Sequence, residues 1–435
     1  MHFCYDLHII LSFYIIAVMY YNVKENDRKY KKMLIFIEIK GGVMNYREVS
    51  LRKHGEWKGK IETVCRVPVD SREALSLAYT PGVAEPCMAI HNDVEKSFEL
   101  TRRWNTVPVI TDGTAVLGLG DIGPEAGMPV MEGKCALFKA YGNVDAYPIC
   151  LRTKDTEEII NTIKVMAGSF GGINLEDISA PRCFEIETRL KQELDIPVFH
   201  DDQHGTAIVS AAALLNALKL ANKKIDEIRL VINGAGAAGI AIAKFLLKLG
   251  VKNITMCDLK GIICKGNDWL NPAQAQIAEI TNLQHIKGTL ADAMKGADAF
   301  IGVSGPHCVS MDMVRSMAEK PILFPCANPV PEIDPEDAKA AGAYIVGTGS
   351  SEYPNQINNV LVFPGLFRGA LDVRANTVNT EMMIAAAKGI ANCVTDNQLA
   401  VDYILPYAYD KNAHRSVAKA VAEAAISSGV SKLKK

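Results

Sequence analysis

The stretch RLVINGAGAAGIAIAKFLLKLGVKNITMCD, residues 229–258, decides the fold of this chain. Its first five residues predict a buried strand, and residues 240–249 predict an apolar helix. A second predicted strand, residues 251–257, ends at Asp258. The glycine pattern GxGxxG lies between the first strand and the helix. This order of strand, glycine loop, helix, strand and acid indicates a Rossmann-type dinucleotide-binding unit.

The glycine loop and the acid after the second strand are the predicted cofactor contacts. Glycines let a backbone approach a pyrophosphate closely, and the following helix N-terminus stabilises its charge. The loop residues with this predicted role are Gly234, Ala235, Gly236, Ala237, Ala238 and Gly239. Asp258 fits the adenosine ribose of NAD, but Lys260 and Lys265 follow closely and can bind a 2′-phosphate. The cofactor is therefore predicted to be NAD or NADP, and the choice stays open.

Two acidic pairs follow predicted strands upstream of this unit. Glu176 and Asp177 come after the segment GGINL, and Asp201 and Asp202 follow a short apolar run. α/β proteins usually place their sites at the carboxyl ends of strands. Clustered carboxylates without basic neighbours favour Mg²⁺ or Mn²⁺, which prefer oxygen ligands. The alternative is that these acids are helix caps and loop residues.

Single polar residues at turns complete the predicted site. Tyr79 lies at the edge of a Thr-Pro-Gly turn, where a phenol either packs or donates a proton. Lys134 follows a glycine-rich loop and is either a surface charge or, if desolvated, a carboxylate partner or base. Asparagines near the expected nicotinamide position either form turns or bind substrate. They are Asn328, Asn358 and Asn359.

Length and composition restrict the class of protein. The chain has 435 residues, 49% hydrophobic and 22% charged, so two globular domains are expected. A net charge of -2 gives no basis for nucleic acid or an anionic membrane as partner. The eleven cysteines are scattered singly, which is typical of a reducing compartment. A cytoplasmic protein is therefore predicted.

Strands and helices alternate along the chain, which predicts a two-domain α/β fold with parallel sheets. We expect an N-terminal α/β domain for substrate and metal at residues 44–209 and a Rossmann-type NAD(P)-binding domain at 210–372. Helices at 373–435 are expected to pack on the first domain or on a partner subunit. Local patterns predict further strands at 64–69 and 115–119, and one from Leu75 that ends in the turn Thr80-Pro81-Gly82. They also predict a helix beginning at Met131 and another beginning after the second acidic pair, at Ala207.

The first 43 residues have an unusual composition. Residues 9–21 are nearly all apolar, but they are fewer than the ~20 that a spanning helix needs. No basic segment precedes them, and no cleavage site follows. A signal anchor, a poorly ordered appendage and an upstream extension that is not normally translated all fit this pattern. We favour the extension, with Met44 as the working start.

Several segments resemble the short, bacterial-type malic enzymes and occur in the same order. They are LSLAYTPGVAEPC, TDGTAVLGLGDIGPEAGMPVMEGK, FHDDQHGTA, NGAGAAG, CANPVPEI and YPNQINNVLVFPGLFRGALD. The resemblance extends from about Met44 to near the C-terminus. It implies oxidative decarboxylation of (S)-malate to pyruvate and CO₂ with NAD or NADP and Mg²⁺ or Mn²⁺. The family is usually oligomeric, so a homodimer or higher homo-oligomer is expected.

The resemblance also implies roles for individual residues. Tyr79 would donate a proton, and Lys134 would accept one with the help of Asp201. The implied metal ligands are Glu176, Asp177 and Asp202. The implied substrate contacts are Lys134, Asn328, Asn358 and Asn359, with Asn328 also close to the nicotinamide.

The chain departs from longer, animal-type members of that family at one position. Those members carry a substrate arginine just before the LGLG strand, where this chain has Thr114, Ala115 and Val116. The group that pairs with the second substrate carboxylate is therefore open. The alternatives are a metal-dependent dehydrogenase or decarboxylase of another small hydroxy or keto acid, and a metal-free amino-acid dehydrogenase. A further alternative is a dinucleotide-binding regulator without catalytic activity, but this would not explain the clustered acids.

Overall fold

The computed structural model describes residues 46–116 and 118–433, and the chain divides into two units after Gly59. The described part of the first unit is helix α1, Tyr46–Trp57. The expectation for residues 1–43 lies outside the described residues. Within them, one helix, Asp201–Ala221, is long and apolar enough to cross a membrane, and 72% of its apolar window is buried inside the protein. It is therefore a core helix of the second unit.

The described residues of the second unit form two sheets. Their strands are β1 Thr106–Thr111, β2 Asp145–Cys150, β3 Ile173–Leu175, β4 Val198–His200, β5 Arg229–Asn233, β6 Asn253–Asp258, β7 Gly261–Ile262, β8 Ala299–Gly302, β9 Ile322–Pro325 and β10 Ile345–Val346. The first sheet has the order β2-β1-β3-β4, and the second has the order β10-β9-β8-β5-β6-β7. All pairings are parallel except that of β6 with β7. The predicted α/β fold with parallel sheets is confirmed.

Helices surround both sheets. They are α2 Arg72–Ala78, α3 Ala84–Asn92, α4 Ser97–Leu100, α5 Pro124–Gly142, α6 Thr156–Met166, α7 Arg182–Glu193, α8 Asp201–Ala221, α9 Ala237–Leu249, α10 Pro272–Ala278, α11 Leu290–Met294, α12 Met311–Arg315, α13 Pro335–Ala340, α14 Phe363–Asp372, α15 Thr380–Ala391 and α16 Lys411–Ser427. Short 3₁₀ turns lie at Val94–Lys96, Arg102–Asn105, Ala167–Ser169 and Asn359–Leu361.

Strand β1 is buried along its whole length because helices cover both faces of the first sheet. Val107 and Val109 belong to a core that includes the aromatic side chains of α5 and α14. Ile110 points into a separate core with the isoleucines of α6 and α7. Phe138 of α5 contacts the rings of Phe363 and Phe367, with centroids 4.7 and 5.2 Å apart. Helix α14 therefore closes one face of the first sheet.

The second sheet has the doubly wound arrangement predicted from residues 229–258. Strand β5 is central, with β6 on one side and β8, β9 and β10 on the other. The order reverses between β5 and β8, and ligands of such sheets bind outside the carboxyl ends at this reversal. The glycine loop after β5 lies at this position. The exact domain boundaries stay a prediction.

Three predicted strands in the first half are wrong. Residues 64–69 form no strand, and residues 75–78 belong to helix α2. Ser71 caps that helix by accepting a hydrogen bond from the Ala74 amide, which outweighs the alternating apolar pattern. The described residues of 115–119 form no strand, and Val116 makes an isolated bridge to Gly120.

Two helices begin earlier than predicted. Helix α5 begins at Pro124 rather than Met131, since proline is favoured in the first helical turn. Helix α8 begins at Asp201 rather than Ala207. Asp201 and Asp202 therefore lie in its first turn, where the helix dipole favours negative charge.

Candidate active site

Three carboxylates meet at the carboxyl edge of the first sheet. Glu176 and Asp177 follow β3, and Asp202 lies in the first turn of α8, directly after β4. Because β3 and β4 are parallel neighbours, these positions are adjacent. One oxygen from each carboxylate lies within 4.8 Å of the others. The predicted metal-binding residues thus converge, although their role as ligands stays a prediction.

Lys134 reaches this carboxylate cluster from α5. Its Nζ lies 2.5 Å from Oδ2 of Asp201 and 2.8 Å from Oε1 of Glu176. It also lies 4.3 Å from the centroid of the Phe363 ring. The side chain is buried, so it is not the surface charge of the alternative interpretation. Three of the predicted residues, on three separate elements, therefore form one contact network.

Burial perturbs the titration of this network. It raises the pKa of Glu176 to about 7, opposed by Lys134 and increased by Asp202. It also raises the pKa of Asp201 to about 7, against the attraction of Lys134, and it raises the pKa of Asp202. Burial favours a neutral Lys134, but the ion pairs with Asp201 and Glu176 prevail and raise its pKa. One ammonium thus leaves excess negative charge among the carboxylates.

A hydrogen-bond network that the sequence did not reveal holds the loop of Asp177. Arg182 donates to Asp112 at 2.8 Å and to Thr114 at 3.1 Å. Thr114 in turn accepts from the Ser179 amide at 3.0 Å. Asp177 has a left-handed φ of +53°, which is uncommon for a residue other than glycine. The surrounding bonds therefore maintain a backbone conformation that costs free energy.

Glu187 of α7 supports the other acidic pair. It is buried and accepts a hydrogen bond from the His200 amide at 3.3 Å. His204 and Lys191 lie within 2.8 and 2.7 Å of its carboxylate. Because His200 ends β4 and His204 lies in α8, Glu187 fixes the strand-to-helix turn that presents Asp201 and Asp202. The helical spacing of Glu187 and Lys191 gave no signal for this role.

The predicted dinucleotide loop has the geometry that its glycines imply. Gly234 has a φ of +111°, and a Cβ there would lie 2.4 Å from the Val303 carbonyl oxygen. A Cβ at Gly239 would lie 1.8 Å from the Gly234 carbonyl oxygen. Gly236, at the N-terminal cap of α9, faces open space instead. The loop is thus packed on its inner side and open where a pyrophosphate would approach.

Asp258 ends β6 with its side chain fixed by the protein. Its carboxylate accepts hydrogen bonds from the Leu259 amide and from the side chain of Gln274. Lys265 is paired with Glu279 at 2.6 Å. Lys260 lies 5.9 Å from the centroid of the Trp269 ring. The arrangement fits a ribose contact for Asp258, and the cofactor choice stays open.

The three predicted asparagines differ in their surroundings. Asn328 follows β9, and its carbonyl lies against Gly118 of the glycine-rich loop, where a Cβ would approach to 2.3 Å. Asn359 lies beside α8, since a Cβ at Gly205 would meet both Asp201 and Asn359. Asn358 caps the 3₁₀ turn by accepting from the Val360 amide at 2.9 Å. Its side-chain oxygen therefore has a structural partner already.

Tyr79 takes no part in the described contacts between Lys134 and the carboxylates. It ends α2 and is 68% exposed. Among the described residues, no hydrogen bond or ion pair connects its phenol to Lys134 or to the carboxylates. Its proposed role as a proton donor stays a prediction.

Comparisons with known proteins agree with this geometry. The profile of the malic enzyme N-terminal domain matches residues 58–191, and that of the malic enzyme NAD-binding domain matches residues 203–426. The chain is 54% identical to a bifunctional malic/malolactic enzyme of Bacillus subtilis, over 90% of this chain and 95% of that protein. It is 57% identical to an NAD-dependent malic enzyme of Geobacillus stearothermophilus, over 86% and 78% of the two chains.

Solved structures give the same result. A crystal structure of an NAD-dependent malic enzyme from Thermotoga maritima superposes with a TM-score of 0.83 at 50% identity, covering 88% of this chain and 99% of the other. A malic enzyme from Pyrococcus horikoshii has a TM-score of 0.86 at 49% identity, covering 89% and 92% of the two chains. With both domain profiles in order and close relatives along most of its length, the chain belongs to the malic enzyme family.

Proposed function

We propose that this protein oxidatively decarboxylates (S)-malate to pyruvate and CO₂ while reducing NAD or NADP. The observation that carries the proposal is the buried contact of Lys134 with Asp201 and Glu176, beside two further carboxylates. A base, a set of oxygen ligands and a dinucleotide fold in one chain are the groups that this reaction needs. Family membership supports the same conclusion.

The carboxylates fit a divalent metal ion. Glu176, Asp177 and Asp202 offer oxygens within 4.8 Å of one another, and oxygen ligands suit Mg²⁺ and Mn²⁺. Their excess negative charge in a buried site favours binding of a cation. When bound there, such an ion supplies Lewis-acid stabilisation of the negative charge that develops on the substrate oxygen during loss of CO₂.

Lys134 and Asp201 would handle the proton of the C2 hydroxyl. A bound NAD or NADP would supply the acceptor for the C2 hydride, and the C2 hydroxyl would have to lose its proton as the carbonyl forms. Lys134 would receive this proton after passing its own to Asp201, at 2.5 Å. An Asp201 pKa of about 7 suits a group that exchanges a proton near neutral pH. Tyr79 would protonate C3 after CO₂ has left.

Asn328 and Asn359, with the neighbouring Asn358, would hold the substrate. Asn359 lies beside Asp201, and Asn328 follows β9 at the carboxyl edge of the nucleotide-binding sheet. Their amides can hydrogen-bond a hydroxyl or a carboxylate. Gly234 to Gly239 would hold the pyrophosphate, and Asp258 would hold the ribose.

We also propose a cytoplasmic homodimer. Helices α2 and α3 bury none of their residues, and the segment leading through them exposes several large apolar side chains. These include Val64, Val67, Leu75, Leu77 and Met88. A second copy that covers this face would remove apolar surface from water. Light scattering of the wild type and of Leu77→Asp tests the dimer, since a monomeric wild type would overturn it.

Initial rates with malate and Mn²⁺ test the proposed reaction. The wild type should form pyruvate and reduced cofactor in equal amounts, and EDTA should stop both. Lys134→Met should lower turnover by ~10²–10⁴-fold, the usual contribution of a general acid or base. Lys139→Met, on the same helix but exposed and paired with Asp145, is the matched control. Near-native turnover by Lys134→Met would reject the role of this lysine.

A substrate panel separates the proposal from its nearest rival. That rival is a metal-dependent dehydrogenase or decarboxylase of another small hydroxy or keto acid. CO₂ release and cofactor reduction should be compared for malate, tartrate, lactate and oxaloacetate. Malate should have the highest kcat/KM for cofactor reduction. A higher value for tartrate or lactate would favour the rival.

A further inference from the structure

Side chains connect three loops at the carboxyl edge of the nucleotide-binding sheet. Asn233 ends β5, Ser304 follows β8, and Glu332 lies in the segment after β9. The side-chain amide nitrogen of Asn233 donates a hydrogen bond to Oγ of Ser304 at 2.8 Å. That hydroxyl donates in turn to Oε1 of Glu332 at 3.0 Å. One polar chain therefore extends from the start of the glycine loop to the segment that contains Asn328.

Glu332 is the centre of this connection. It has no exposed surface, yet its carboxylate accepts from three donors. Oε1 accepts from the amide and the hydroxyl of Ser304, at 2.9 and 3.0 Å. Oε2 accepts from the Ala327 amide at 3.0 Å. Each oxygen therefore holds a different loop.

The backbone packs closely around Glu332 and around Asn328. A Cβ at Gly302 would lie 2.4 Å from Cδ of Glu332, so the last residue of β8 must lack a side chain. Ala327, which Oε2 holds, directly precedes Asn328. The Asn328 carbonyl is packed against Gly118 on its other side. Asn328 is thus positioned between a buried carboxylate and the glycine-rich loop of the first domain.

Only a carboxylate satisfies this geometry. All three neighbours donate, and an ionised carboxylate accepts at both oxygens. Glutamine would turn one NH₂ group toward an amide or hydroxyl donor and leave a buried donor without an acceptor, which costs ~1–3 kcal/mol. Aspartate is one methylene shorter. A glutamate that only filled space would not need this donor pattern.

We infer that Glu332 is a positioning residue for the reaction, because it fixes Asn328 relative to the dinucleotide loop. The substrate is thereby held at a fixed distance and orientation from the nicotinamide. The inference rests on the proposed function, since it uses Asn328 as the substrate and nicotinamide contact. Displacement by about 1 Å of a group that orients a substrate can cost ~10²-fold in rate. Glu332 acts through Asn328 and Ser304 and touches neither ligand itself.

The test compares Glu332→Gln with Glu336→Gln. Glu336 lies four residues further on and is exposed, and its one ion pair among the described residues is with Lys339. Glu332→Gln should lower kcat by ~10–100-fold, whereas NADH affinity, measured by fluorescence titration, should change less than threefold. Hydrogen exchange of the peptide that covers residues 326–333 should be faster in this variant without any ligand. Glu336→Gln should match the wild type in all three measurements.

A double-mutant cycle separates positioning from a general loss of structure. If Glu332 acts through Asn328, Glu332→Gln should slow the Asn328→Ala variant by less than threefold. Multiplicative losses in the double variant would overturn the inference. If Glu332→Gln does not fold, Ser304→Ala, which removes one of the three donors, takes its place in the cycle with the same expectation.

The outcomes also separate this inference from the proposed function. A wild-type protein without malate turnover would reject the proposed function, whatever the variants do. A wild type that turns over malate, with Glu332→Gln as active as Glu336→Gln, would reject the positioning role alone.

Discussion

Replacing Glu176 with glutamine should have opposite effects on stability with and without metal. Glu176 is 4% exposed, and burial raises its pKa from 4.5 to about 7. A group whose pKa is raised on folding contributes stability that is present below its unfolded pKa and is lost as pH rises through its folded pKa. Glutamine does not titrate, so Glu176→Gln removes this pH-dependent loss.

The expected size of the effect follows from the shift. Between pH 5 and pH 8, ionisation of Glu176 should cost the metal-free wild type about 2–3 kcal/mol relative to the variant. For a chain of this size that corresponds to roughly 3–4 °C in Tm. The hydrogen bond that Asn174 donates to Glu176, at 2.9 Å, favours the ionised carboxylate and opposes the rise of its pKa. Comparing the two pH values removes every contribution to the stability difference that does not depend on pH.

With saturating Mn²⁺ the wild type should instead be more stable than the Glu176→Gln variant. A ligand at 100 times its Kd stabilises the folded state by ~2.7 kcal/mol, and the variant lacks one of three carboxylate ligands. Differential scanning calorimetry measures the Tm of both proteins in EDTA and in Mn²⁺, each at pH 5, 6, 7 and 8. Glu125→Gln, an exposed glutamate paired with Arg152, is the control and should show neither effect. A Tm difference that does not change with pH in EDTA, or that keeps its sign in Mn²⁺, would refute the reasoning.

Three further changes have defined outcomes. Gly239→Ala should lower Tm by several degrees because its Cβ would meet the Gly234 carbonyl. Gly236→Ala places its Cβ in open space, so it should keep the wild-type Tm but weaken NADH binding in a fluorescence titration. An equal Tm for the two alanine variants would contradict this account of the loop. Tyr79→Phe should lower kcat by ~10²–10⁴-fold with a Tm within about 1 °C of the wild type, because the side chain is exposed; unchanged kcat would remove it from the mechanism. Asp258→Ser should raise the ratio of kcat/KM for NADP to that for NAD, since it removes a negative charge near the 2′-position; an unchanged ratio would place the ribose elsewhere.

The parts of the fold with strong periodic patterns were predictable from the sequence. Strand β5, the glycine loop and β6 were correct because a buried parallel strand and a glycine-rich turn each leave a local signal. Helix α2 was not predicted, because Leu75 and Leu77 alternate with polar or small residues as in a strand. The hydrogen bond to the Ser71 cap stabilises a helix there instead. The local pattern near Val116 gave a strand where a glycine turn forms.

Acids that follow strands gave the most direct signal for the candidate site. Glu176, Asp177 and Asp202 carry this signal, and they do converge. Arg182, Glu187 and Glu332 were missed because each has a partner, 70, 13 and 28 residues away respectively, that only the fold brings close. Their helical or loop positions look like ordinary surface charges in the sequence. A supporting residue leaves no local signal because its function is defined by its partners.

The central claim is that Glu176, Asp177 and Asp202 hold a divalent ion next to Lys134 at the malate site. Anomalous diffraction at the manganese absorption edge, from crystals grown with Mn²⁺ and malate, measures this directly. We expect one strong peak in contact with all three carboxylates, with malate density between that peak and Lys134. A peak elsewhere on the protein, or an ordered site that contains malate without manganese, would contradict the account.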